Sequence, residues 1–142
     1  MTTQTFCAFD LGAESGRAIL GRLADGLLTL KEIHRFSNGP IRVRTHLHWD
    51  IYRLAEECKT GLRLACAGEP APPVSFGIDT WGVDFSLLAA DGTLLGLPFA
   101  YRDPQTEGMI DDLSRSIPRE ELYQRTGIQF QPFNTLVQLH AL

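Results

Sequence analysis

No stretch of this chain approaches the roughly 20 consecutive apolar residues that a helix needs to cross a bilayer. Nor is there a surplus of positive charge: 13 lysines and arginines stand against 17 aspartates and glutamates, a net charge of −4. That balance argues against nucleic acid or an anionic membrane as an electrostatic partner. Any bound phosphate must then be held by backbone dipoles, a metal ion or single arginines. Cysteine is scarce as well. Cys7, Cys58 and Cys66 are odd in number and lack metal-ligand spacing, so the expectation is three buried free thiols in a cytoplasmic protein. The start, Met1-Thr2-Thr3-Gln4-Thr5, has neither the basic region nor the apolar run of a secretory leader. Repeats and low-complexity tracts are missing too, and the four histidines show no ligand spacing.

What is present alternates between β and α signals, which predicts an α/β fold with a mixed sheet and flanking helices. Strands are expected over residues 5–11, 17–23 and 27–36, the last two joined at Asp25-Gly26, a pair suited to a type I′ turn. In the third strand the apolar alternation slips at Ile33, which predicts a bulge. Residues 37–48 read as loop, broken at Asn38-Gly39-Pro40. A helix capped by Asp50 follows, with Ile51, Leu54, Ala55, Cys58, Leu62 and Ala65 at helical spacing and Gly68 at its left-handed end. "VSFGID" reads as a further strand, a short apolar run ending like the first in an aspartate, and "VDFSLLAADGTLLGLPFAYR" as a hairpin about Asp91-Gly92. Three helices should close the chain, started by Asp103-Pro104, Pro118 and Asn134. In the last of them Leu136, Val137, Leu139 and Leu142 have no evident partner. The chain is therefore expected to be cut short at Leu142, leaving exposed the apolar face on which a remainder would pack and through which it self-associates.

Two expected strands end in a carboxylate, Asp10 and Asp79. After Asp10 comes "GAESGR", and two familiar phosphate loops can be tested against it. A P-loop needs four residues between its glycines, then Lys and Ser/Thr, and must open a helix. Here Gly12 and Gly16 enclose three residues, Arg17 follows, and the next segment alternates like a strand. The dinucleotide fingerprint lacks its third glycine and its helix. What remains is a turn between antiparallel strands whose N–H groups can converge on an anion. Gly12 and Gly16 would permit strained angles and close approach, Ser15 would add a hydroxyl and Arg17 a cation. A carboxylate beside a phosphate is repulsive unless a cation such as Mg²⁺ lies between them, which would explain Asp10. A tight hairpin with Asp10 bonded within its own turn fits the same spacing.

"FDLGAESGR" resembles the first phosphate motif of carbohydrate kinases with the fold of actin and hexokinase, a ribonuclease H-like architecture. "GIDTWGVDFSLLAADG", "GLPFAYRD" and "YQRTGIQFQPFNTLVQL" resemble, more narrowly, the FGGY group of sugar kinases that act on L-rhamnulose. The resemblance implies phosphorylation of L-rhamnulose by ATP with Mg²⁺, giving L-rhamnulose 1-phosphate in rhamnose breakdown. It further implies that residues 1–142 form the N-terminal part of the family's N-terminal domain, with the C-terminal domain absent. By the same resemblance Ala13, Glu14, Ser15, Gly16 and Arg17 form the ATP-phosphate loop, and Asp10 lies near the metal and γ-phosphate. Gly82 contacts sugar. The catalytic base is implied to lie beyond Leu142, so the chain alone should be inactive.

The residues around Gly82 point the same way. Trp81 can offer a sugar a flat apolar wall and Asp84 a bidentate acceptor. Equally, Trp81 can fill a core corner and Asp84 a turn. Three other functions stay open at this level: a kinase for another ketose or polyol, a non-catalytic nucleotide- or sugar-binding module, and a fragment with no activity.

Overall fold

The computed structural model describes residues 3–142; Met1 and Thr2, where the leader-free start was read, lie outside the described residues. The elements run β1 (Gln4–Leu11), β2 (Ser15–Ala24), β3 (Leu27–Ser37), β4 (Ile41–Val43), β5 (His46–His48), α1 (Ile51–Ala67) and β6 (Ser75–Thr80). A 3₁₀ turn (Pro104–Thr106), α2 (Met109–Ser116), α3 (Arg119–Thr126) and α4 (Thr135–His140) complete the chain. They fall into two compact units, Met1–Gly39 with Asp50–Trp81, and Pro40–Trp49 with Gly82–Leu142.

In the first unit the sheet order is β3-β2-β1-β6. β1, β2 and β3 run antiparallel, and β6 returns parallel to β1 after the crossover through α1. Asp25 and Gly26 both take positive φ, 54° and 77°, as the β2–β3 turn requires. Ala18 faces His34 but Ile19 faces Glu32, so Ile33 is the bulged residue where the alternation slipped. α1 starts where the Asp50 carboxylate accepts the Arg53 N–H at 3.0 Å. One face of α1 and one face of the sheet share a core of Cys7, Phe9, Ala18, Leu20 and Ala65, with Cys58 and Leu62 against it. Gly61 sets how close helix and sheet come. A Cβ there would lie 2.6 Å from the Phe9 ring and 2.8 Å from the Ala18 Cβ.

Several expectations need correction. Residues 37–48 are not all loop, because β4 and β5 pair as a short hairpin turning at Arg44, φ 56°. Three-residue strands rich in arginine and histidine carry too little alternation to be recognised, and the His48 ring against Phe99, centroids 4.5 Å apart, helps define this one. Gly68 caps α1 in right-handed geometry, φ −85°, since its N–H reaches the Leu64 carbonyl without a left-handed turn. Asn134 precedes α4, but its amide donates to the Gln129 carbonyl at 2.8 Å instead of accepting a helix N–H. The turn at Asp91-Gly92 forms, with Ala89 N–H on the Thr93 carbonyl at 2.8 Å, yet its arms make only an isolated Leu88–Leu94 bridge. β6 forms where a strand was expected, but its apolar residues are exposed along its whole length at the edge of this sheet. All three thiols are free, but only Cys7 is buried; Cys58 is half-buried and Cys66 exposed. On α4, Val137 is buried in the second unit while Leu136 and Leu139, and Leu142 just after the helix, are exposed. Among the described residues no helix is long and apolar enough to cross a membrane.

Candidate phosphate-binding site

β1 and β6 are parallel, so their carboxyl ends lie at one edge of the sheet, the edge where α/β sheets present their ligand sites. There the register places four charged residues side by side across the strands: Arg35, Arg17, Asp10 and Asp79. They share the face opposite α1, since Phe9 and Ala18, one position away, point into the core. Arg17 donates to Asp10 Oδ2 from Nε at 2.8 Å and from Nη2 at 2.6 Å. Asp10 thus bonds across its own hairpin, and Arg17 is engaged with it. Arg35 forks onto Glu32 at 2.9 and 2.6 Å.

The turn that follows is held from behind by a residue read above only as a loop breaker. Asn38 donates its backbone N–H to the Glu14 carbonyl at 2.9 Å and its side-chain amide to the Gly12 carbonyl at 2.7 Å. Gly12 N–H bonds the Ser15 carbonyl at 3.0 Å, closing the hairpin. Arg53, in the first turn of α1, donates to the Ser37 carbonyl at 2.8 Å and ties the Asn38 segment to the helix. Asn38 is only 3% exposed, and its Oδ1 is buried without a hydrogen-bond partner. Such an acceptor costs about 1–3 kcal/mol.

The two glycines are required for a reason other than the one expected. Neither takes positive φ. At Gly16 a Cβ would lie 2.2 Å from the Phe36 ring, and at Gly12 it would lie 3.0 Å from the Ser15 carbonyl oxygen. Packing, not backbone strain, excludes a side chain at Gly16 and crowds one at Gly12. Glu14 is exposed, whereas Ala13 and Ser15 are half-buried.

The unit boundary runs between Trp81 and Gly82, so the sugar motif is described in two parts. In the first unit Trp81 is half-buried. In the second, Gly82 is exposed and a Cβ on it would meet nothing within 4 Å. Asp84 gathers three donors: the Trp49 indole N–H and the Tyr101 N–H at 3.2 Å on Oδ2, and the Gln138 amide at 3.1 Å on Oδ1. Trp49 and Gln138 are buried, so this carboxylate organises the interior of its unit. Trp49 and Gln138 lie 35 and 54 residues away from Asp84 in sequence, and no local pattern joins them. Nearby, Asp103 accepts the Gln105 N–H at 2.9 Å as an N-cap, together with the Leu47 N–H at 2.5 Å and His46 Nδ1 at 3.0 Å. Burial pushes the Asp103 carboxyl up, but these bonds outweigh it and hold its pKa below the ordinary carboxylate value.

As a cation site the row offers little by itself. Among the described residues no three histidine, cysteine or acidic side chains cluster. Asp10 keeps one oxygen, Oδ1, outside its pairing with Arg17. A single carboxylate of this kind fits Mg²⁺, which is bound through one or two carboxylates while phosphate oxygens and waters fill the remaining positions.

No protein-family model matches the chain. Curated relatives do. The chain is 52% identical over 140 residues to the rhamnulokinase of Bacteroides thetaiotaomicron, covering 98% of this chain and 28% of that protein. It is 49% identical over 144 residues to the rhamnulokinase of Pectobacterium carotovorum, covering 100% of this chain and 29% of that protein. Among solved structures, a ligand-bound xylulose kinase from Lactobacillus acidophilus matches with a TM-score of 0.79 at 15% identity, over 98% of this chain and 28% of that one. At that identity the likeness shows the fold alone, that of the actin- and hexokinase-like sugar kinases. The chain spans under a third of the length of the curated relatives it matches. Over the residues it spans, the chain is thus similar throughout to rhamnulokinases.

Proposed function

We propose that these 142 residues form the first part of the N-terminal domain of a cytoplasmic, ATP-dependent kinase that converts L-rhamnulose to L-rhamnulose 1-phosphate in rhamnose breakdown. The observation that carries this reading is the near-50% identity to rhamnulokinases along the whole chain. The tight hairpin loop after Asp10, clamped from behind by Asn38 and flanked by that carboxylate, supports it.

In this reading Ala13, Glu14, Ser15, Gly16 and Arg17 surround the phosphates of ATP, with Glu14 turned to solvent. Asp10 holds Mg²⁺ through the oxygen that Arg17 does not use, and the ion when bound offsets the charge of the phosphates. Arg17, paired with Asp10, orients that carboxylate while leaving its own positive field at the loop. Trp81 gives the sugar an apolar wall, and Gly82 leaves space at the backbone. Asp84 binds a hydroxyl in addition to its three internal donors. Phosphoryl transfer also needs a base that accepts the sugar hydroxyl proton. That base lies outside these residues, and the chain by itself phosphorylates nothing.

The test takes the natural protein carrying this sequence, determines its intact mass, and supplies it with ATP, Mg²⁺ and L-rhamnulose. Xylulose, ribulose, fuculose and glycerol are run in parallel. Preferred phosphorylation of L-rhamnulose supports the reading. Preference for another of these changes the substrate and keeps the kinase. No transfer to any of them by a protein of intact mass several-fold above 15.8 kDa removes the activity.

A further inference from the structure

We infer that Asn38 is a positioning residue for the phosphate loop, holding its N–H groups aimed at the anion; this rests on the kinase reading above. In a trans peptide the C=O and the following N–H point in opposite directions. Asn38 binds two carbonyls of the loop, Gly12 through its side-chain amide at 2.7 Å and Glu14 through its backbone N–H at 2.9 Å. The N–H groups sharing those peptide planes belong to Ala13 and Ser15. Both are therefore turned away from Asn38. N–H dipoles freed in this way from the Asn38 side of the loop can each donate to a phosphate oxygen.

The identity of the side chain follows from the same geometry. Only an NH₂ group can face the Gly12 carbonyl, so Oδ1 is left as the buried acceptor without a partner. A fold that needed only to fill this space would do better with an apolar side chain. Asn38 is also held firmly, buried beside Ser37, whose carbonyl is bound by Arg53. The loop is thus clamped from β3 and α1 and does not depend on ligand for its shape.

The experiment uses the natural full-length protein and Asn38→Asp, which keeps the shape and removes the donor. Amide hydrogen exchange at Ala13 and Ser15 is followed with and without ATP and Mg²⁺, and affinities for ATP and L-rhamnulose are measured by calorimetry. The expected result in the unaltered protein is slowed exchange at Ala13 and Ser15 when ATP binds. In Asn38→Asp, ATP affinity falls tenfold or more while L-rhamnulose affinity stays within twofold. A merely structural role would weaken both ligands together. Unchanged exchange at Ala13 and Ser15 in an unaltered protein that binds and uses ATP overturns the inference alone, whether or not the variant folds. So does an Asn38→Asp protein that binds ATP normally. An unaltered protein that binds no ATP overturns the kinase reading and this inference with it.

Discussion

Replacing Gly61 by alanine sets two effects of opposite sign against each other. Gly61 lies inside α1, where alanine should gain up to about 1 kcal/mol of helix propensity. Against that, the new Cβ would sit 2.6 and 3.3 Å from two atoms of the Phe9 ring and 2.8 Å from the Ala18 Cβ. Phe9 is 1% exposed and cannot swing into solvent. Ala18 is fully buried, and its Cβ is anchored to the backbone of β2, between β1 and β3. Relief requires α1 to move off the sheet, and overpacking of that kind costs about 1–3 kcal/mol. With two contacts under 3.0 Å, one of them to a backbone-anchored atom, the clash wins and the net loss is about 1–2 kcal/mol. At a urea slope of about 1–3 kcal/mol per molar, the midpoint should fall by about 0.3–2 M. Far-UV circular dichroism reads the transition, and exchange of the Phe9 and Ala18 amides assigns the loss to the first unit. Ala55, exposed on the same helix, is the control: Ala55→Gly should also destabilise, by about 0.5–1 kcal/mol. Propensity alone predicts opposite signs for the two changes, so a raised midpoint in Gly61→Ala would refute the packing argument.

Three further outcomes follow from the second unit and the thiols. Asp84→Asn should destabilise the second unit by about 1.5–3 kcal/mol, because an amide cannot accept from Trp49, Tyr101 and Gln138 together. An unmoved Trp49 indole N–H resonance with an unmoved melting temperature would sink that claim. The lowered pKa of Asp103 contributes stability that is fully present above the unfolded carboxylate value, near about 3.9, and is lost as pH falls through the folded value. Asp103→Asn should therefore flatten the acid limb of the stability curve, and an unchanged acid slope would contradict it. Cys66 should react with a thiol reagent in the native protein while Cys7 waits for unfolding, since Cys7 is 2% exposed and burial pushes its thiol pKa up. Equal labelling rates for the two would place Cys7 outside the core.

How much of this was readable in advance depended on how local the cause was. The Asp25-Gly26 turn, the bulge at Ile33 and the Asp50 cap were all legible, because each is decided by a few adjacent residues whose conformational preferences act alone. The acid at the end of β1 and the glycine-bracketed loop were likewise visible as a motif, and with the stretches around Trp81 and Phe130 they carried the family resemblance. The sequence by itself thus determined the main strands and helices, their order and the stretch from Asp10 to Arg17 as a candidate anion loop, but not the β4–β5 hairpin. Only the tertiary structure decided what surrounds that stretch. It set Arg17 against Asp10, put the Phe36 ring where a Gly16 side chain would go, and brought Asn38 behind the loop from 26 residues away. It made β6 an exposed edge and turned Asp84 toward Trp49 and Gln138. The physical reason is one of range. Propensity, capping and turn chemistry act within a turn of chain, whereas burial and hydrogen-bond partnership are set by residues that only folding brings within 3 Å of one another.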